Sequence, residues 1–177
     1  PAIGEEAPMN IEEAIKTAIE FEMRVRDTYV EALDETKDAV GKRIFKLLSE
    51  EEHNHVIYLE ATLSQWVARQ RLSLDKLDTA LPPVEAIQQE IEKLQSSLGD
   101  GKGKNELAIL KKVYDVEEET SRFYERLVND LPGEGKEFFS RFLEIEQGHV
   151  TLVQAEIDFV NKSGHWFDMA EFKLADY

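Results

Sequence analysis

The chain has 177 residues, 42% apolar and 33% charged, which suits one domain of long helices with solvated faces around a real core. It contains no cysteine, so disulfides, thiolate zinc sites and cysteine-ligated iron–sulfur clusters are excluded, and any metal has to be held by Glu, Asp and His. The formal net charge of −16 argues against nucleic acid or an anionic membrane as partner, since both call for positive charge.

Asn10-Ile-Glu-Glu13 is a capping-box-like start, and apolar residues then recur at helical spacing (Ile11, Ile15, Ala18, Val25, Tyr29, Leu33), which predicts a helix over 10–36. A second helix is predicted over 39–71, with the stripe Phe45, Leu48, Leu59, Thr62, Trp66. Leu81-Pro82-Pro83 stops the pattern, and 83–98 reads as a shorter helix followed by a flexible break at 99–103. The third long helix is predicted over 105–131 (Leu110, Val113, Thr120, Tyr124, Leu127, Leu131). A turn is expected at Pro132-Gly133-Glu134-Gly135, and the fourth long helix over 136–162 (Phe139, Phe142, Val153, Ile157, Val160). The aromatic tail, including His165, Trp166 and Phe167, is expected to dock on the bundle or on a partner subunit. No stretch approaches the roughly 20 apolar residues of a membrane span, and no basic-then-apolar leader opens the chain. The expectation is a soluble, cytoplasmic protein whose initiator Met has been removed.

Short connections make antiparallel hairpins, and a connection of about 33 residues is long enough to cross a bundle. The predicted fold is therefore all-α: a single-domain four-helix bundle with a first hairpin at 10–71, a crossover containing a short helix at 72–104, a second hairpin at 105–162 and a docked tail at 163–177.

The two hairpins match each other. At an offset of 94, Gly41, Phe45, Glu50, Glu52, His55 and Ala61 meet Gly135, Phe139, Glu144, Glu146, His149 and Ala155. At an offset of 95, Glu22 and Tyr29 meet Glu117 and Tyr124. Such a repeat predicts a pseudo-twofold site built from equivalent residues of each half.

Glu52-x-x-His55 and Glu146-x-x-His149 place a carboxylate and an imidazole on one helix face, within reach of one metal ion. The motif alone is weak, because Glu is abundant and Glu50-x-x-His53 is a third match. Two tests separate them. His53 aligns with Gln147, whereas His55 aligns with His149; and Glu52 and His55 interrupt an apolar stripe, whereas Glu50 and His53 lie in line with Lys46 and Arg43. Glu50, Glu51 and His53 are expected to be exposed. Glu22 and Glu117 occupy the stripes of their own helices, so all four long helices present ligands inward. Buried carboxylates without partners cost several kcal/mol each or are forced neutral, and divalent cations remove that cost. Four Glu balance the charge of two such ions. Glu with His favours iron or manganese, with zinc the ion of a non-catalytic site. The bland alternatives are surface Glu on acidic helices, histidines satisfied by core hydrogen bonds, and Tyr29 and Tyr124 as plain packing.

Glu22 with Tyr29 seven residues on, Glu52-x-x-His55, Glu117 with Tyr124 seven residues on, and Glu146-x-x-His149 together resemble the rubrerythrin-like branch of the ferritin-like superfamily, over almost the whole chain. The resemblance implies a ferritin-like bundle with two irons that reacts with hydrogen peroxide or dioxygen, in a context of oxidative stress. It implies Glu52 and Glu146 as bridging ligands, Glu22 with His55 and Glu117 with His149 as terminal ones, and Tyr29 and Tyr124 as donors to carboxylates across the site. Two departures follow. Rubrerythrins usually carry a four-cysteine rubredoxin domain; this chain has no cysteine, so a separate electron-donor protein is expected. Thr120 stands where rubrerythrins place an extra Glu, and the remaining six-ligand set resembles bacterioferritin as much. The alternatives are a ferroxidase or iron-handling protein, and a non-catalytic metal-binding bundle. A homodimer is the default assembly.

Overall fold

The computed structural model describes residues 9–95 and 104–168. Among them the chain forms five α-helices and no strand: α1 (Ile11–Glu35), α2 (Ala39–Arg69), α3 (Val84–Gln95), α4 (Lys104–Asp130) and α5 (Gly133–Ser163). The expected flexible break at 99–103 and the last turn predicted for the short helix lie outside the described residues, as does the tail beyond Asp168. No helix among the described residues is long and apolar enough to cross a membrane.

The helix ends follow from local chemistry. Asn10 Oδ1 accepts the Glu13 N–H at 2.9 Å while the Asn10 N–H donates to Glu13 Oε2, the reciprocal capping box that the sequence predicts. Asp38 caps α2 by accepting the N–H groups of Val40 and Gly41. Gln70 and Gly164 end α2 and α5 in the left-handed region. One boundary differs from expectation. The predicted turn over 132–135 shrinks to Leu131-Pro132, and α5 begins at Gly133, whose φ of 57° a residue with a side chain would strain to adopt.

α1 packs on α2, α4 on α5, α1 on α4, and α3 on α5. The three-residue link at 36–38 makes α1 and α2 antiparallel. The ion pairs Arg24–Glu119 and Lys112–Glu31 make α1 and α4 antiparallel as well, because the partner's number falls as the first one's rises. The predicted stripes of the four long helices turn inward along most of their length, with Ile11, Leu33 and Trp66 at their ends half-buried. On α5 the inward row runs Val153, Glu156, Val160, and Ile157, predicted to lie on it, is only half-buried. The apolar core falls into two clusters. One holds Val25, Tyr29, Phe45, Leu48, Leu110, Leu152 and Trp166. The other holds Ile15, Ala18, Leu59, Tyr124, Phe139 and Phe142. Each fully buried Leu, Ile or Phe contributes roughly 1.5–3 kcal/mol, so these clusters offset a polar layer set between them.

Trp166 and Phe167 are buried, so the described part of the tail docks on the bundle of its own chain. Trp166 lies edge-on to Phe45, over Gly41. A Cβ at Gly41 would sit 2.7 Å from the indole ring and 2.9 Å from Thr36 Cγ2, whereas one at the repeat-equivalent Gly135 would meet its neighbours at 3.4–3.5 Å. Gly41→Ala is therefore expected to lower stability by about 1–3 kcal/mol. Gly135→Ala is expected to be neutral or to gain up to about 1 kcal/mol, from helix propensity. Urea unfolding midpoints of the two variants check this, and equal effects would refute the close packing of Trp166.

Candidate metal centre

Between the two apolar clusters, each long helix contributes one fully buried carboxylate: Glu22 from α1, Glu52 from α2, Glu117 from α4 and Glu146 from α5. α2 and α5 each add an imidazole, His55 and His149, one turn from their carboxylates. All six sequence-predicted ligands thus come together within one chain. Their donor atoms form two groups, Glu22/Glu52/His55/Glu146 and Glu52/Glu117/Glu146/His149, and within each group the atoms lie within 4.8 Å of one another. Either group can hold a metal ion. Glu52 and Glu146 belong to both.

The partners of the two imidazoles follow the pseudo-twofold repeat, while the distances of equivalent pairs differ. His55 Nδ1 is 2.9 Å from Glu52 Oε2, 3.1 Å from Glu22 Oε2 and 3.7 Å from Glu146 Oε1. His149 Nδ1 is 2.7 Å from Glu52 Oε1, 3.6 Å from Glu117 Oε1 and 3.9 Å from Glu146 Oε2. The two rings are parallel, 5.9 Å apart at their centroids. The Tyr29 hydroxyl donates to Glu117 Oε1 and the Tyr124 hydroxyl to Glu22 Oε1, so each tyrosine crosses from its own helix to the carboxylate of the other half.

These groups satisfy one another only in part: His55 Nδ1 is hydrogen-bonded to Glu52 Oε2 and Glu22 Oε2, and the rest of the cluster is not so paired. Glu52 Oε1, Glu117 Oε2, both oxygens of Glu146 and His149 Nδ1 are buried without a hydrogen-bond partner among the described residues. Even the 2.7 Å approach of His149 Nδ1 to Glu52 Oε1 is not aligned as a hydrogen bond. Buried polar atoms are normally paired, and leaving one unpaired costs about 1–3 kcal/mol. Buried donor atoms that converge and are left in part without partners are what a cation needs.

The electrostatics agree. Burial, helped by the Glu52 charge, pushes Glu22 up to about 8. Burial likewise lifts Glu117 to about 7 and Glu146 well above the usual carboxylate range. Burial also works to raise Glu52, but the two imidazoles outweigh it and hold Glu52 well below that range. Burial pulls His55 down, and the carboxylates of Glu52 and Glu22 outweigh it and lift the imidazole to about 10. His149 is raised in the same manner, chiefly by Glu52. Without a cation the cluster therefore retains protons on carboxylates and imidazoles alike. A cation has to displace them, so binding releases protons and weakens as pH falls.

Glu50 and His53 are exposed, as the repeat and the stripe predict. Glu51 is not. It is 6% exposed, with Oε1 accepting the Ala80 N–H at 2.8 Å and Oε2 3.4 Å from His149 Nε2. The expectation of exposure fails because the crossover residues 79–81 fold over this side of α2. A signal was available: Glu51 aligns at offset 94 with Ile145, which is also buried. Glu156 was missed for a related reason. It is fully buried beneath the tail, accepting the Phe167 N–H at 2.9 Å, and it aligns with the buried Thr62. Thr120 is buried with its hydroxyl bonded to the Val116 carbonyl, so it offers the centre no carboxylate. A cleft of about 580 Å³ lies between the crossover and α5, lined by Leu81, Val84, Arg141 and Gly148 among others. None of the six ligand residues lines it, so it is not the centre itself.

No family model matches this sequence, and neither a curated protein nor a solved structure does.

Proposed function

We propose that this chain is a ferritin-like, rubrerythrin-like di-iron protein that reduces hydrogen peroxide or dioxygen with electrons from a separate donor. The observation that carries the reading is the pair of donor groups sharing Glu52 and Glu146. Two ions held side by side can share ligands, and a lone site would call for no such sharing. The two antiparallel hairpins and the long connection between them fit the ferritin-like arrangement.

Glu52 and Glu146 would serve both metal positions, with Glu22 and His55 completing one and Glu117 and His149 completing the other. Tyr29 and Tyr124 hold one oxygen of Glu117 and of Glu22, which orients those carboxylates and leaves Glu22 Oε2 on His55 Nδ1 and Glu117 Oε2 without a partner among the described residues. Bound iron supplies redox capacity, passing between Fe(II) and Fe(III). Reduction of hydrogen peroxide to two waters consumes two electrons and two protons, and buried tyrosine hydroxyls beside carboxylates are groups that can hold and pass a proton there. The complete burial of the six ligands keeps bulk water away.

Anaerobic loading with Fe(II) is expected to give two irons per chain by elemental analysis, and His149→Ala one. Peroxide added to the loaded protein should produce a ferric absorption band, with turnover when a reductant is present. Two irons without peroxide-dependent oxidation would sink the peroxidase reading while leaving the metal site. Thr120 in the extra-ligand position favours a second reading, a ferroxidase that handles iron. Rapid oxidation by dioxygen but not peroxide, with iron retained in a particle larger than a tetramer on size-exclusion chromatography, would support it.

A further inference from the structure

We propose that Glu51 is a positioning residue that makes the two metal positions unequal, by accepting the Nε2–H of His149 so that the Glu117/His149 position binds a divalent cation more tightly than the Glu22/His55 position. The inference rests on the two-metal reading above, and it starts from a break in the repeat. His149 Nδ1 faces the carboxylate cluster, which leaves Nε2 to carry the proton on the opposite side of the ring. Among the described residues Nε2 is buried without a hydrogen-bond partner, and so is Glu51 Oε2; the two atoms face each other at 3.4 Å. A donor and an acceptor, both buried and both short of a partner, need only a small rotation of the ring to meet. Such contacts are often loose before a site is filled.

The other half has no counterpart. His55 Nε2 is also buried without a partner among the described residues, but the residue equivalent to Glu51 is Ile145, and the ring of His55 is met by the edge-on ring of Phe142. Glu51 is itself anchored, since its Oε1 accepts the Ala80 N–H from the crossover. A fixed carboxylate behind one imidazole holds that ring in place and raises its basicity as a ligand. The other imidazole receives neither benefit. The crossover thereby reaches one metal position through Ala80, Glu51 and His149, and among the described residues has no such route to the other.

The test is a Co(II) titration of the metal-free full-length chain, followed by the cation's absorption bands and by calorimetry. The wild type should bind two Co(II) in resolved steps. Glu51→Gln keeps the shape and loses the charge; Glu51→Asp keeps the charge and loses the reach. Both should weaken the tighter step by about 10–100-fold, the range for removing the group behind a ligating histidine, and leave the weaker step little changed. In a His55→Ala background the loss on Glu51→Gln should persist. In a His149→Ala background it should vanish, which a general structural role or long-range charge loss would not produce. Equal weakening of both steps, or none, overturns the role of Glu51 while two-metal binding stands. A wild type that binds no Co(II) overturns this inference together with the two-metal reading.

Discussion

Glu146→Gln is expected to make the metal-free protein more stable and to remove most of the stabilisation that metal confers. Both oxygens of Glu146 are buried and unpaired, and the carboxyl stays protonated well above its ordinary range because burial and the neighbouring Glu52 and Glu22 penalise its charge. At neutral pH the folded chain bears that cost and the unfolded chain does not. A neutral isostere removes it, for a gain of about 1–3 kcal/mol. The same residue belongs to both donor groups, so its loss weakens both positions at once. In the wild type, two cations each present at a thousand times their dissociation constant stabilise by roughly 8 kcal/mol. That corresponds to a rise in Tm on the order of 15–30 °C at this chain length. The order of stability should therefore invert: the variant melts above the wild type without metal and well below it with metal. Thermal unfolding under anaerobic conditions, with and without Fe(II), measures all four values. Equal metal-induced shifts in the two proteins would remove Glu146 from the site.

The second large effect concerns Glu156, outside the metal centre. Burial raises this carboxyl well above its ordinary range, the charges of Asp168 and Asp38 add to the rise, and the hydrogen bond from the Phe167 N–H opposes it. Its other oxygen, Oε1, has no hydrogen-bond partner among the described residues. The folded state thus binds a proton that the unfolded state releases near the ordinary carboxylate value. Stability contributed by this group is complete below that value and is lost as pH rises toward the folded one. The slope is about 1.4 kcal/mol per pH unit across that window. Glu156→Gln retains an acceptor for the Phe167 N–H and has no proton to lose. The variant should match the wild type near pH 4.5 and exceed it progressively as pH rises. Urea unfolding at a series of pH values gives the difference directly, and parallel curves would show that the carboxyl is not held neutral.

The two residues at 51 and 156 mark where reading the chain alone falls short. Both sit one position away from residues that the helical stripe selects: Glu51 beside Glu52, and Glu156 beside Ile157. A stripe divides a helix into an inner and an outer face, and residues near the boundary are buried or exposed according to what covers them. Here the covers are the crossover at 79–81 and the tail at 166–167. Neither carries a helical pattern that could have predicted where it lies. The repeat came nearer, because Ile145 and Thr62 occupy the matching positions and both are buried. Glu50 and His53, which the motif alone could not reject, were rejected correctly by the same repeat and lie in solvent.

Sequence by itself determined the helices, their inward faces and the six residues of the centre. The reason is that 3.6-residue periodicity, capping and an internal repeat are written locally and hold wherever the helices pack. How those six residues divide was implied by the resemblance alone, and the tertiary structure supplies the distances across four helices that make Glu52 and Glu146 common to both donor groups. It alone decided that the two halves are not equivalent. The repeat makes the two donor groups alike, and among the described residues a buried carboxylate held by the crossover stands behind one histidine and not the other.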